Sequence, residues 1–187
     1  MRKKDNKKIE AIKQAVIELS RQEGLSNLTT ARIAKRAGVS PATIYLNYED
    51  KTDLLSKVYQ EVKVKLEGNL KSVINTDTSL EDQIVATLGF TVSQYKAYPD
   101  LATFMGLMWQ NQDFLDDETV KISNTLNDSL KQLFERIKAS PKYTNTSFEV
   151  LESFFTIPTS ILMRNHFELT EEEEQQVISM VIKAIQK

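Results

Sequence analysis

The segment from Thr30 to Leu55 constrains this chain more than any other. Its signals place two short helices about a sharp turn with a third helix locked behind them. Thr30 is expected to N-cap a helix that carries Ile33, Ala34 and Ala37 on one face, and Gly38 supplies the positive-φ residue that closes that helix. Ser40 is expected to cap the next helix, with Pro41 at its first position, where a missing N–H costs nothing. Ile44 and Tyr48 repeat at helical spacing on the buried side of this second helix, which leaves Ala42, Thr43, Tyr45 and Asn47 to face outward or flank a contact. Ala34 is small where the helices must cross closely, and Gly38 follows four residues later in the turn. That is the packing logic of a helix-turn-helix, the arrangement that sets a helix into a DNA groove.

Residues 8 to 55 resemble the N-terminal DNA-binding domain of the tetracycline-repressor (TetR) family of bacterial regulators. The resemblance is carried by the opening amphipathic helix, the A-x-x-A-G-V-S turn from Ala34 to Ser40, and the run Tyr45-x-x-Tyr48-x-x-Lys51-x-x-Leu54-Leu55. The family more often has Phe where Tyr48 stands, and often His or a second aromatic in place of Asn47. The resemblance implies an all-α protein. It would have an N-terminal three-helix helix-turn-helix domain over residues 1–50 and a larger helical domain for effector binding and dimerisation over 51–187. It implies a dimeric, ligand-responsive transcription regulator, a repressor rather than an activator, bound to a palindromic operator in double-stranded DNA and released by a small effector. From their outward positions, Thr43, Ala42 and Asn47 are expected to approach base edges, with Asn47 able to pair with adenine. Thr30, Ser40, Tyr45 and Lys51 are expected to hold phosphates.

Charge supports a nucleic-acid partner at one end of the chain. The formal net charge of the whole is only -2, yet residues 1–65 hold 14 Lys or Arg against 8 Asp or Glu, while residues 66–187 hold 10 against 18. Arg2, Lys3, Lys4, Lys7, Lys8, Lys35, Arg36 and Lys51 would supply the phosphate attraction that dominates affinity for DNA.

The rest of the composition excludes several alternatives. With no cysteine and a single histidine, His166, there is no disulfide framework and no thiolate or His-rich metal site, and no cofactor is expected. No apolar run approaches the ~20 residues of a membrane helix, and MRKKDNKKIEAI lacks the apolar core of a signal peptide, so a cytoplasmic location without a membrane partner is expected. There is no Gly-rich phosphate loop, no G-x-S-x-G and no H-E-x-x-H. The acidic pair Asp116-Asp117 and the run Glu171 to Glu174 are explained more cheaply as helix caps than as acid-base groups. The chain is expected not to be an enzyme.

With four prolines and five glycines, the chain reads as helices almost throughout. Ile9, Ile12, Val16 and Leu19 stripe a first helix that ends near Gly24, and Leu54, Leu55, Val58, Tyr59, Val62 and Leu66 stripe a connecting helix from about residue 51 past Leu70. Ser79, followed three residues later by Asp82, should cap a helix running to about Tyr98. Pro99 should open a short apolar one to about Gln110. Leu126, Leu130, Leu133, Phe134 and Ile137 mark another that ends before Pro141. One more is expected from Thr146 to Phe167, kinked at Pro158, and a last one from Thr170, whose capping box with Glu173 is explicit.

Two apolar stripes close the chain: Phe148, Leu151, Phe154, Phe155, Ile161 and Leu162, then Val177, Ile178, Val181, Ile182 and Ile185. Each alone fits a core. A two-fold DNA reader needs a mate, however, and the resemblance implies a four-helix bundle between protomers, so the expected homodimer interface is Phe148, Leu151, Ile161, Leu162, Val177, Ile178, Val181, Ile182 and Ile185. Aromatic and sulfur residues gather between Phe90 and Phe114. Most suit a core. In a sensor domain of this kind, Phe90, Tyr95, Phe104, Met105, Met108 and Trp109, closed by Phe154, Phe155 and Met163, would line a pocket for a lipophilic small molecule, with Asn111, Arg164 or His166 as polar contacts. The alternative, a helical protein–protein adaptor, explains the stripes but leaves the helix-turn-helix and the basic front half without a purpose.

Overall fold

The computed structural model describes residues 2–126, 128–163 and 169–187, and the side chains of these except 2–5 and 123–126. Among the described residues the secondary structure is helical, without a β-strand; an isolated bridge joins Tyr143 to Gln186. The chain forms two compact units, Met1–Lys65 with Asp100–Ser123, and Leu66–Pro99 with Asn124–Lys187.

The first unit opens with α1 (Arg2–Glu23), a helix uninterrupted by Gly or Pro, whose Ile12, Val16 and Leu19 are buried while Ile9 is half-buried. Gly24, at φ 77°, ends it with an N–H donated to the Ser20 carbonyl at 3.0 Å. A short 3-10 turn, Leu25–Asn27, leads to α2 (Thr30–Ala37). Its cap is Thr29 and not Thr30: Thr29 is extended (φ -124°, ψ 151°) and its hydroxyl accepts the Arg32 N–H at 3.3 Å. In a Thr-Thr pair either hydroxyl suits a cap, and the backbone conformation decides between them. Gly38, at φ 66°, closes α2 in a Schellman motif, with the Val39 N–H on the Ala34 carbonyl (3.0 Å) and the Gly38 N–H on that of Lys35 (3.3 Å).

Helix α3 (Pro41–Tyr45) starts as expected from Ser40 and Pro41. The Ser40 backbone is that of a cap, but its hydroxyl pairs with the Thr43 hydroxyl at 3.0 Å and not with a helix N–H. Bonds from Leu46 N–H to Ala42 O and from Tyr48 N–H to Ile44 O, 3.1 and 2.9 Å, carry the turn on to Tyr48. Helix α4 (Lys51–Glu67) stops before Gly68, short of the expected run past Leu70, and α5 (Leu70–Val73) is a separate single turn. Ile33, Ala34, Ile44, Tyr48, Leu54, Leu55 and Val58 are all buried, as is the apolar face of α1. At roughly 1.5 to 3 kcal/mol per fully buried large apolar side chain, this burial rather than local helix propensity keeps so short an α3 in place.

The remainder of the first unit comes from later in the chain. Helix α7 (Pro99–Gln110) begins and ends as the sequence predicts, with Ala102, Phe104, Met105 and Met108 buried. A 3-10 turn at Gln112–Phe114 precedes α8 (Asp117–Leu126), a helix not anticipated from the apolar pattern.

In the second unit, α6 (Leu80–Ala97) is capped by Ser79, which accepts the Asp82 N–H at 3.1 Å. Its Ile84 and Leu88 share a core with Leu133, Phe134 and Ile137 of α9 (Asp128–Ala139) and with Tyr143. The single helix expected over 146–167 is instead α10 (Phe148–Phe155) and α11 (Ile157–Leu162), divided at Thr156. Pro158, near the start of α11, has no N–H for the Phe154 carbonyl, which is the expected interruption carried to a full break. Expectations for Arg164, His166 and Phe167 fall outside the described residues. Helix α12 (Glu171–Ile185) begins with the expected capping box, in which Thr170 and Glu173 satisfy each other's backbone N–H. The hydrogen bonds from Thr170 hold the Glu173 carboxyl below its usual range. The chain end is pinned by Thr144 N–H on Ile185 O (2.8 Å) and Lys187 N–H on Lys142 O (3.1 Å).

Candidate nucleic-acid interface

Helices α2 and α3 leave one outward surface on the first unit. Pro41, Ala42, Tyr45, Leu46 and Asn47 are exposed on it, Leu46 most of all at 83% and Tyr45 at 57%, while Thr43 is half-buried. The buried Ile44 and Tyr48 fix this orientation, since each helical turn that sends them inward sends Ala42 and Leu46 outward. Leu46 stands outside the set of contacts expected from the sequence, yet it is the most exposed large apolar side chain of this surface. Its place one turn after Ala42 was the available signal.

Most polar side chains on this surface are already engaged with one another. The Tyr45 hydroxyl lies 3.0 Å from that of Thr30, the Thr43 hydroxyl 3.0 Å from that of Ser40, and the Asn47 amide nitrogen donates to the Thr43 carbonyl at 2.8 Å. The Tyr45–Thr30 bond ties α2 to α3, the Ser40–Thr43 pair closes the start of α3, and the Asn47 amide finishes its C-terminal end. In the free chain the Asn47 amide nitrogen serves the end of α3.

Lys51 sits differently from an exposed phosphate contact. Half-buried, it donates to the Leu25 carbonyl at 3.2 Å and lies 5.0 Å from the centre of the Phe114 ring. Its charge thus fastens the start of α4 to the turn after α1. Arg32 and Arg36 pair with Glu23 and Glu18 of α1, the latter at 2.7 Å. Lys7, Lys8 and Lys35 are exposed; the side chains of Arg2, Lys3 and Lys4 lie outside the described residues.

Behind this surface α8 is fastened to α4. The Asp116 N–H donates to the buried Ser56 hydroxyl at 3.0 Å, and the Gln60 amide donates to Thr119 Oγ1 at 2.6 Å. Burial pushes the Asp116 carboxyl up, but hydrogen bonds from Thr119, Ser56 and Glu118 outweigh that and leave it below its ordinary value. Asp116 caps α8 through the Thr119 N–H at 2.6 Å, as expected for this acidic pair.

The segment built this way has known counterparts. Residues 12–58 match the family described as bacterial regulatory proteins, tetR family. The chain carries a TetR-family N-terminal domain. Over its full length it is similar to a TetR family transcription regulator from Marinobacter aquaeolei VT8, with a TM-score of 0.82, 22% identity and complete coverage of both chains. A TetR family protein from Vibrio parahaemolyticus is similar at a TM-score of 0.77 and 21% identity, over 96% of this chain and 99% of that one. The fold of TetR regulators therefore extends through the C-terminal helices. Among curated proteins, the nucleoid occlusion factor SlmA of Vibrio cholerae serotype O1 is 28% identical over 142 residues, 72% of this chain. The match spans 66% of that relative, just under two thirds.

The other expected sites are placed as follows. Phe104, Met105 and Met108 are buried in the first unit, where Trp109 is 40% exposed and Asn111 is exposed. In the second unit Phe155 is buried edge-to-face against Phe134, 4.7 Å between ring centres, and Phe90, Tyr95, Phe154 and Met163 are half-buried. A groove of about 350 Å³ in the second unit is lined by Glu81, Val85, Gln175, Ile178, Ser179, Ile182, Lys183 and Gln186, none of them an expected pocket residue.

Of the residues expected between protomers, Leu151, Ile178, Val181, Ile182 and Ile185 lie in the core of their own unit. Phe148 packs on Phe134 at 5.0 Å, and Ile161, Leu162 and Val177 are half-buried. The large apolar side chains exposed on these helices are Val150 (43%), Ile157 (39%) and Met180 (66%). Apolar spacing identifies a covered face, and here much of the cover comes from the protomer itself.

Proposed function

We propose that this chain is a ligand-responsive transcription regulator, a repressor that binds an inverted repeat in duplex DNA as a homodimer and leaves it when a lipophilic small molecule binds the C-terminal helices. The observation that carries the reading is the α2–α3 pair, joined by the Thr30–Tyr45 bond, with its outward surface on a front segment, residues 1–65, of 14 basic against 8 acidic residues. A helix braced at both ends on a basic body is what groove reading needs, because phosphates attract and base edges discriminate. Exposed Val150, Ile157 and Met180 on α10, α11 and α12 offer the surface for a mate.

Effector release follows from linkage: a ligand that favours one arrangement of the paired recognition helices disfavours DNA to the extent that DNA favours another. A coupling of ~1 to 3 kcal/mol would lower operator affinity about 5- to 150-fold. A second reading rests on the similarity to SlmA, whose name makes it a nucleoid occlusion factor. Both readings require duplex DNA. Selection of bound sequences from a randomised duplex library by the full chain tests the shared step: an enriched inverted repeat is expected, and a library left unenriched would overturn both. Deleting the gene then separates them, by changed transcripts beside the selected sites or by division across DNA.

A further inference from the structure

The outward surface of α3 is apolar at Ala42 and Leu46. Ala42 and Leu46 are four residues apart on α3 and its last turn, hence on one face, and both are exposed, Leu46 at 83%. The side chains beside them that could read a base by hydrogen bonding are turned onto the protein. Thr43 faces Ser40 at 3.0 Å, the Asn47 amide faces the Thr43 carbonyl at 2.8 Å, and Tyr45 faces Thr30 at 3.0 Å. Along the line from Ala42 to Leu46, what projects from the helix is a methyl group and an isobutyl group, one turn apart. The major-groove edges of the four base pairs offer a single apolar feature, the C5 methyl of thymine.

From this we infer that Ala42 and Leu46 read thymine 5-methyl groups, so that the preferred half-site carries thymine where α3 enters the major groove. The inference deepens the proposed DNA-binding reading and rests on it. A polar base would have to strip water from its edge against Leu46 without receiving a hydrogen bond, whereas a thymine methyl loses no bond by the same contact. The contact therefore discriminates twice, by favouring thymine and by penalising bases that present a donor or acceptor there. Phosphate attraction from the basic front half brings any duplex to this surface, so the apolar pair acts on sequence choice more than on overall affinity.

The test removes one methyl group at a time. The full chain selects a duplex from a randomised library; that duplex is then made with each thymine replaced in turn by 2′-deoxyuridine, which pairs identically. Binding of a labelled duplex is followed by fluorescence anisotropy for the wild-type chain, Leu46→Ala and Ala42→Gly. The wild type is expected to lose about 4-fold in affinity per critical methyl, the worth of burying one such group. Leu46→Ala, which alters an exposed side chain and leaves the fold intact, should bind the thymine and uracil duplexes alike at the position that Leu46 covers. Equal wild-type affinity for the thymine duplex and every uracil duplex would overturn the inference while leaving DNA binding standing, and so would discrimination undiminished in both variants. Failure of the chain to select any duplex would overturn the DNA-binding reading itself.

Discussion

The hydroxyls of Thr30 and Tyr45 lie 3.0 Å apart, a bond that runs from the first residue of α2 to the last of α3. It spans the turn at Gly38 and sets the angle at which α3 is shown to a partner. Tyr45→Phe and Thr30→Val should each lower the stability of the first unit by at most about 1 kcal/mol, the usual net worth of such a bond. Because both remove the same bond, the double variant should cost little more than either alone, with a coupling of ~0.5 kcal/mol or above. Urea denaturation of the four proteins measures this. Strict additivity would mean that the bond contributes nothing.

Lys51→Ala should weaken the fold before any DNA is present. The substitution removes the ammonium from the Leu25 carbonyl and from the Phe114 ring, and we expect a loss of roughly 1 to 2 kcal/mol by thermal or urea unfolding. Lys51→Arg should recover part of it. Unchanged stability in Lys51→Ala, together with a lower salt slope in DNA binding, would return Lys51 to the role of a phosphate contact.

Much of this site is legible in the sequence because its signals are local. Gly38, Pro41, the capping box at Thr170 and the 3.6-residue spacing of Ile44 and Tyr48 each act within one or two turns, and the helices follow them. What the sequence leaves open depends on partners far along the chain. Nothing local assigns the Lys51 ammonium to Leu25, and nothing local chooses Thr29 over Thr30 as the cap. For α8 the sequence offers the acidic cap at Asp116 and Asp117 but no apolar stripe to give its length, because its hold on α4 is polar, through Ser56, Gln60 and Thr119. The stripe through Ile178 and Ile182 is equally ambiguous in sequence, since spacing alone does not say whether the covering surface belongs to the same protomer.

Tyr48→Phe should flatten the loss of stability at high pH. Burial first, then the carboxylates of Glu61, Asp53 and Glu10, push the Tyr48 phenol up to about 12 from its ordinary 10.0. With the folded value above the unfolded one, the contribution of this group is fully present below pH ~10 and is lost as pH rises toward ~12, because the native state holds the proton longer. Two pKa units correspond to at most about 3 kcal/mol. Unfolding free energies of wild type and Tyr48→Phe at a series of alkaline pH values check it: the difference between the two should change across that window and stay constant below it.

Substitutions on α12 should divide into two classes. Ile178→Glu with Ile182→Glu places charge in the core of the second unit and should unfold it, because an unpaired buried carboxylate costs several kcal/mol. Met180→Glu with Ile157→Glu alters exposed positions, and should leave the helix content of the chain unchanged while converting dimers into monomers at micromolar concentration. Circular dichroism and sedimentation velocity distinguish the outcomes. Dimers that survive the second pair would place the protomer contact elsewhere.

In the proposed function, α2 and α3 present a sequence-reading surface on a basic front segment. Binding isotherms of the full chain on its selected duplex and on a scrambled duplex of equal length, taken from ~50 to ~300 mM salt, test it most directly. Log K should fall linearly with log salt on both duplexes, with a slope near -0.9 per phosphate contacted, and the selected duplex should stay at least ~10³-fold tighter than the scrambled one at physiological salt. Affinity indifferent to salt, or equal for the two duplexes, would contradict it.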